Sequence, residues 1–398
     1  MRKGSFSHLK AFRGRDLLFL IVLVIALSPV ASGQAVTFDI DVKAAILIDA
    51  DTGQVLYEKN ADDPRPPASL AKIMTMLVVM DAVKSGQVTL DDPVRTSAHA
   101  SSIGGSQAWL ATGEVHTLEN MLKAVAISSA NDASVAVAEY ISGTEAAFTQ
   151  LMNARARQLG LTQSVFSNPE GLPAAQGEVP SVTTAREIAI VSRELITKHP
   201  EVLAWTSTVM EQFREQPLFI LYNTNTLLGK YEGLDGLKTG HTSEAGYNLV
   251  ATAKRGDTRV ISVVMGAESS EIREQRTRSL LDYGLVRHVS VTVGQGTVGE
   301  IRIKNGAPER INVRVADPVR ILQLRGENVQ VETVIDASGA SAPLAAGDSV
   351  GEYVVRLNGV EAVRVPVYSE EDVRPVNIFV RLWRGARDFF VGLLPGSR

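Results

Sequence analysis

The 398-residue chain contains no cysteine. That excludes disulfides, and it excludes a lipid-modified N-terminal cysteine. Its 6 histidines are scattered and no H-E-x-x-H run occurs, so no metal-ligand spacing is present and neither metal nor cofactor is expected. The G-x-S-x-G elbow that presents a nucleophilic serine above a hydrolase sheet is missing. There is no internal repeat or low-complexity tract. The N-terminal apolar run, Leu17 to Leu27, is short for a membrane span. It follows Arg2, Lys3, Lys10, Arg13 and Arg15 and precedes the small residues Ala31-Ser32-Gly33. Residues 1–33 therefore read as a cleaved export signal, with an uncleaved anchor as the alternative. Export without disulfides fits a bacterial envelope protein.

Charge is uneven. The whole chain carries −4, residues 1–33 carry +4 and residues 374–398 carry +4, which leaves −12 on the body between them. An acidic body argues against nucleic acid as a partner. The basic tail has its own explanation. On a helical wheel from Ile378, the residues Phe379, Leu382, Trp383, Ala386, Phe389, Phe390, Leu393 and Leu394 share one side. Arg381, Arg384, Arg387 and Asp388 take the other. A basic amphipathic helix with aromatic anchors reads as one that lies on a membrane surface.

What the chain does have is Ser69-Leu70-Ala71-Lys72. Residues three apart share a helix face, so the amine can reach the hydroxyl. A serine hydroxyl needs a base to become a nucleophile. Lysine serves when burial or a nearby positive charge lowers its pKa. The spacing alone is common, and Ser7-His8-Leu9-Lys10 also has it. Ser129-Ala130-Asn131 and Lys238-Thr239-Gly240 then follow in order. A second lysine beside the first would hold one amine neutral through repulsion. Gly240 leaves room for an extended substrate to approach a sheet edge.

Together with the flanks Pro67-Ala68, Ile73-Met74-Thr75, Asp132-Ala133 and His241-Thr242, these motifs resemble the low-molecular-mass penicillin-binding proteins that act as D-Ala-D-Ala carboxypeptidases. The resemblance implies a Ser69 nucleophile that forms an acyl-enzyme, with Lys72 as its base and Ser129 as proton relay to the leaving amine. It implies that Asn131 binds the substrate backbone and orients Lys72, while Lys238 and Thr239 take the terminal carboxylate. The backbone N–H groups of Ser69 and His241 would form the oxyanion hole; the His241 ring is left open between function and packing. Implied partners are peptidoglycan stem peptides ending in D-Ala-D-Ala and β-lactams as covalent inhibitors. The implied location is the outer face of the cytoplasmic membrane. Asn168-Pro169-Glu170-Gly171-Leu172 lacks the E-x-x-L-N spacing of class A β-lactamases, and Glu170 reads as a surface loop acid. A D,D-endopeptidase, a β-lactamase and a non-hydrolytic sensor or scaffold stay open as alternatives.

The expected architecture is α/β: an antiparallel sheet flanked by helices over residues 37–288, the transpeptidase sandwich of that family. A small all-β domain over 289–372 and an amphipathic membrane-anchoring helix over 374–398 complete it. Strands are expected at 44–49, 54–57, 237–239, 248–254 and 259–266. Helices are expected from Ser69 to near Gly86, at 118–128, 133–141, 145–159 and 270–284, and after the Thr184-Ala185-Arg186-Glu187 capping box. In the β domain, strands are expected at 291–293, 301–304, 311–315 and 363–367.

Overall fold

The computed structural model describes residues 38–384, apart from 175, 176, 178 and 338. The expected export signal, and residues 385–398 of the amphipathic segment, lie outside the described residues. The elements below belong to one unit that begins at Asp41.

The chain opens as a hairpin of β1 (Ala44–Asp49) and β2 (Val55–Lys59). Its turn is held by the Asp49 carboxylate, which accepts from the Thr52 amide at 2.9 Å and hydroxyl at 2.6 Å. A helical middle follows: α1 (Ala71–Lys84), α2 (Leu118–Ile127), α3 (Asn131–Ser142), α4 (Glu145–Gln158) and α5 (Ala185–Lys198). Thr117, Thr144 and Thr184 cap α2, α4 and α5 by accepting an amide from the first turn, as threonine at that position should. The chain then returns as β3 (Leu234–Thr242), β4 (Gly246–Arg255), β5 (Thr258–Ala267) and α6 (Ser270–Arg287).

These five strands form one antiparallel sheet in the order β2-β1-β5-β4-β3. Alternation along each strand sends neighbouring side chains to opposite faces. Ile46, Ile48, Ile261 and Val263 join the core built with α1 to α5. Leu47 and Val260 meet α6 on the other face, at Gly284. The expected sandwich is therefore present, with β3 at the sheet edge.

The second part is all β. A sheet of β6 (Thr297–Arg302), β7 (Arg310–Val315), β8 (Val331–Asp336), β9 (Ser349–Leu357) and β10 (Val360–Ser369) runs in the order β6-β7-β10-β9-β8. Residues 288–294 and 319–324 pair beside it. Val313, Ile321, Val355 and Val367 fill the core between them. Three details differ from the sequence reading. The strand expected at 301–304 ends at Arg302. Arg374–Pro375 pairs with Gly306–Ala307, so the segment expected as helix from 374 begins extended, as a residue before proline prefers. Helix starts at 378, with Asn377 Oδ1 accepting the Val380 amide at 3.0 Å. Glu187 does not close a capping box; its carboxylate instead accepts the amides of Thr162 and Gln163 at 2.8 and 2.9 Å.

One buried side chain ties the two parts together. Gln54, 6% exposed, donates to the Leu322 carbonyl at 2.7 Å and accepts the Leu322 amide at 2.8 Å. It imitates a strand neighbour for the 319–324 strand. Replacing it strands two buried backbone groups, each worth about 1–3 kcal/mol. Gln54→Ala should lower unfolding stability by roughly 2–4 kcal/mol in chemical denaturation and leave peptidase turnover at parent level.

Candidate active site

Ser69 lies in the tight turn Ala68–Leu70 that leads into α1. From Ala71 to Met80, α1 is buried on every side, as a core helix is. Yet it carries Lys72 and Thr75, one turn apart and fully enclosed. Thr75 Oγ1 donates to the Pro169 carbonyl at 2.6 Å. Lys72 Nζ contacts the Glu170 carbonyl at 2.6 Å, Asn131 Oδ1 at 2.7 Å and Ser69 Oγ at 3.2 Å. Burial pushes the Lys72 amine down to about 7, against the opposing pull of the Glu170 and Asp132 carboxylates. A neutral amine keeps two N–H bonds and one lone pair. The two shorter contacts are to acceptors without a hydrogen, so they take the N–H bonds. The lone pair is left facing the Ser69 hydroxyl.

The loop beneath Lys72 is shaped by Asn168. Its Oδ1 accepts the Gly171 amide at 2.6 Å and its Nδ2 donates to the Leu172 carbonyl at 2.9 Å. Gly171 adopts φ +80°, and a Cβ there would fall 1.9 Å from the Ala68 carbonyl oxygen. The Asn and Gly of the N-P-E-G-L run are thus the two residues that fold it inward. This corrects the reading of Glu170 as a surface acid: it is 4% exposed. Burial, then the charge of Glu145, pushes its carboxyl up to about 7, with Lys72 opposing. Its Oε2 has no hydrogen-bond partner among the described residues.

Ser129 and Asn131 join α2 to α3. Ser129 has φ +64°, a left-handed conformation that costs a non-glycine residue of order 1–3 kcal/mol. Its Oγ is buried without a hydrogen-bond partner among the described residues. Asn131 faces two ways, accepting from Lys72 and donating Nδ2 to the Gly104 carbonyl at 2.7 Å. Asp132 behind it accepts the amides of Ala108 and Leu110 at 2.9 and 3.1 Å, which fixes the loop that runs over Asn131.

The edge strand β3 supplies the last group. Lys238 and Thr239 are buried. Burial, then the charges of Lys72 and Arg273, holds the Lys238 amine well below its ordinary range. Thr239 Oγ1 hydrogen-bonds Thr224 Oγ1 at 2.6 Å. A Cβ on Gly240 would sit 3.1 Å from the Ser69 and Leu70 amide nitrogens and the Pro67 carbonyl oxygen. The space that glycine leaves is therefore taken by the Ser69 turn, not by an incoming strand. The exposed His241 ring packs over Tyr247 with centroids 4.1 Å apart.

Lys72 thus joins Ser69 to Asn131 directly, Gly240 abuts Ser69, and Lys238 lies close enough to feel Lys72. Three residues here were not anticipated. Thr224 comes from a loop that lacks periodicity. Arg273 is a buried cation on α6 with no motif around it. Asn248 braces the turn before Ser69 by donating to the Pro67 carbonyl at 3.3 Å. Among the described residues no cluster of three His, Asp or Glu side chains could hold a metal ion.

Residues 30–269 match the D-alanyl-D-alanine carboxypeptidase family, and residues 290–375 match the C-terminal domain of penicillin-binding protein 5. The chain is 38% identical over 355 residues to D-alanyl-D-alanine carboxypeptidase DacF of Bacillus subtilis, covering 88% of this chain and 90% of that one. Its structure is similar to penicillin-binding protein 5 from Haemophilus influenzae, with a TM-score of 0.73, 30% identity, and coverage of 85% and 99% of the two chains. It is also similar to penicillin-binding protein D2 of Listeria monocytogenes in its cefotaxime-bound form, at TM-score 0.57 and 34% identity, over 62% of this chain and 98% of that one. The chain belongs to the D-alanyl-D-alanine carboxypeptidase family of penicillin-binding proteins and is a serine-type carboxypeptidase.

Proposed function

We propose that Ser69, Lys72 and Ser129 carry the chemistry and that Asn131, Lys238, Thr239 and His241 hold the substrate, with Gly240 seating the Ser69 turn against β3. The observation behind this is the Lys72 amine, whose remaining lone pair faces Ser69 Oγ at 3.2 Å. In this reading Ser69 Oγ bonds to the carbonyl carbon of a D-Ala-D-Ala peptide, and its proton passes to Lys72. The oxyanion lies between the Ser69 and His241 amides, at the positive end of α1. Ser129 relays that proton from Lys72 to the departing D-alanine nitrogen as the C–N bond breaks, which returns Lys72 to its neutral form. Water, deprotonated by Lys72, then attacks the acyl carbon, and the proton passes back to Ser69 Oγ as the ester bond breaks. Lys238 and Thr239 take the terminal carboxylate, which makes the enzyme an exopeptidase for stem peptides. β-Lactams acylate Ser69 by the same first step; the cefotaxime-bound relative supports this.

The same proposal covers location. The protein is exported and rests on the outer face of the cytoplasmic membrane through its C-terminal segment. Ile378, Phe379, Leu382 and Trp383 are 60–78% exposed on one side of the helical turns at 378–384. Arg384, on the other side, reaches the Gly306 carbonyl at 2.6 Å. No helix among the described residues is long and apolar enough to cross a membrane.

Four outcomes test these statements. Ser69→Ala should abolish D-alanine release from a D-Ala-D-Ala peptide, by ~10⁴-fold or more, without loss of fold; residual turnover near parent level would overturn the assignment. The base works only when neutral, so kcat/KM should fall as pH drops through about 7. Glu170→Gln removes a carboxylate that favours the charged amine, so that acidic limb should move to lower pH; an unmoved limb would mean that Glu170 does not act on Lys72. Deleting residues 378–398 should leave peptidase activity intact and shift the protein from the membrane pellet to the supernatant. Continued pelleting would remove the anchor reading.

A further inference from the structure

The β domain holds a pocket of about 500 Å³. Its walls carry Arg302 and Lys304 from the end of β6, Glu309 from the turn before β7, and Arg381 and Arg384 from the 378–384 helix. That is four cationic groups against one carboxylate. Glu309 is already engaged, by Arg302 Nε at 2.8 Å and by Arg384 Nε at 3.4 Å. It braces the two guanidinium groups and leaves a net charge of +3 in the pocket. The Lys304 ammonium and the Arg381 guanidinium have no hydrogen-bond or ion-pair partner among the described residues. The body over residues 34–373, which supplies Arg302, Lys304 and Glu309, carries −12, and the basic tail adds Arg381 and Arg384, so the pocket's sign is local and not a property of the surface at large.

Its position gives the ligand. The pocket lies on the basic side of the helix, opposite the exposed Ile378, Phe379, Leu382 and Trp383. A helix is about 10–12 Å across, and an interfacial helix buries its apolar face only about 5–10 Å deep. With that face in the bilayer, the opposite side stands at the level of the lipid headgroups. A phosphate there meets a cavity lined by cations whose guanidinium and ammonium donors match its oxygens. We propose that this pocket is a receptor for the phosphate of an anionic phospholipid headgroup, so that the C-terminal segment and the β domain together select acidic membrane. This rests on the membrane reading above and adds to it a binding site on the folded domain.

The test is flotation of the purified protein with two kinds of vesicle: phosphatidylcholine alone, and phosphatidylcholine with phosphatidylglycerol. The double variant Lys304→Gln, Arg381→Gln removes two unpaired cations and should fold as the parent does, with unchanged peptidase activity. A second double variant, Arg314→Gln, Arg374→Gln, removes the same charge from exposed positions of the domain outside the pocket. The pocket variant should bind phosphatidylglycerol vesicles roughly 20-fold more weakly and phosphatidylcholine vesicles as before, while the control loses less than about threefold. Equal losses in both variants would mean general surface charge and would overturn the proposal, as would no loss in either. Binding of the parent to neither vesicle would remove the anchor reading and the pocket's lipid with it. Release from phosphatidylglycerol vesicles by inorganic phosphate, at an ionic strength where chloride does nothing, would make free phosphate the occupant and overturn the lipid assignment.

Discussion

A fully buried lysine amine is the constraint around which this molecule is arranged. An ammonium in a dry interior loses its hydration and must recover that energy from protein acceptors or give up its proton. Lys72 has partners from three separate segments: the turn at Ser69, the start of α3 at Asn131, and the inward loop at Glu170. None of these segments is close to another in sequence, except Ser69 itself. Each must be fixed by its own means before the amine can be satisfied. The Asn168 clamp fixes the loop, Asp132 fixes the segment over Asn131, and Asn248 with Gly240 fixes the turn at Ser69. Stability and chemistry therefore share their determinants here.

The strained positions follow from the same packing. Ala68 and Ser129 both have left-handed φ, at +49° and +64°. Ala68 lies directly before the proposed nucleophile Ser69, and Ser129 is itself proposed to carry the chemistry. Neither conformation would persist on its own preference. The first is held by the Gly171 contact from below and the Gly240 strand from the side, and the second by the ends of α2 and α3. Backbone strain of this kind survives only where neighbouring elements over-determine it.

How much of this was legible in sequence depended on the range of the cause. Helices α2, α4, α5 and α6 start at Thr or Ser caps, and the sheet strands are short apolar runs bounded by turns, so their signals lie within a few residues of sequence. The three motifs could be read because a hydroxyl and an amine one turn apart already imply contact. Glu170 was misread because loops are usually exposed, and its burial depends on Gly171 meeting Ala68 across a hundred residues of chain. Gly240 was placed beside substrate, although its close approach is to the Ser69 turn. Thr224 and Arg273 had no local signal, since only the assembled sheet edge brings them to β3. The hairpin over Met210–Tyr222 has no clear sequence signal, because its strands are mostly exposed and do not alternate cleanly.

Two chemically identical side chains receive different work from these surroundings. Lys72 has fixed partners within the protein: acceptors at Asn131 and Glu170, and the Ser69 hydroxyl before its lone pair. Lys238 meets one backbone carbonyl, that of Thr239 at 3.1 Å, and feels the repelling charge of Arg273 and of Lys72 whenever that amine is protonated. Its charged form lacks a counter-ion among the described residues. In the proposed reading, the terminal carboxylate of the substrate is that counter-ion, and its arrival favours a proton on Lys238. A cation at Lys238 then acts through repulsion to hold Lys72 neutral. A substrate without the carboxylate leaves Lys238 uncharged and Lys72 less biased toward its basic form. Preference for a free C-terminus would then lie in the protonation of the base as well as in binding.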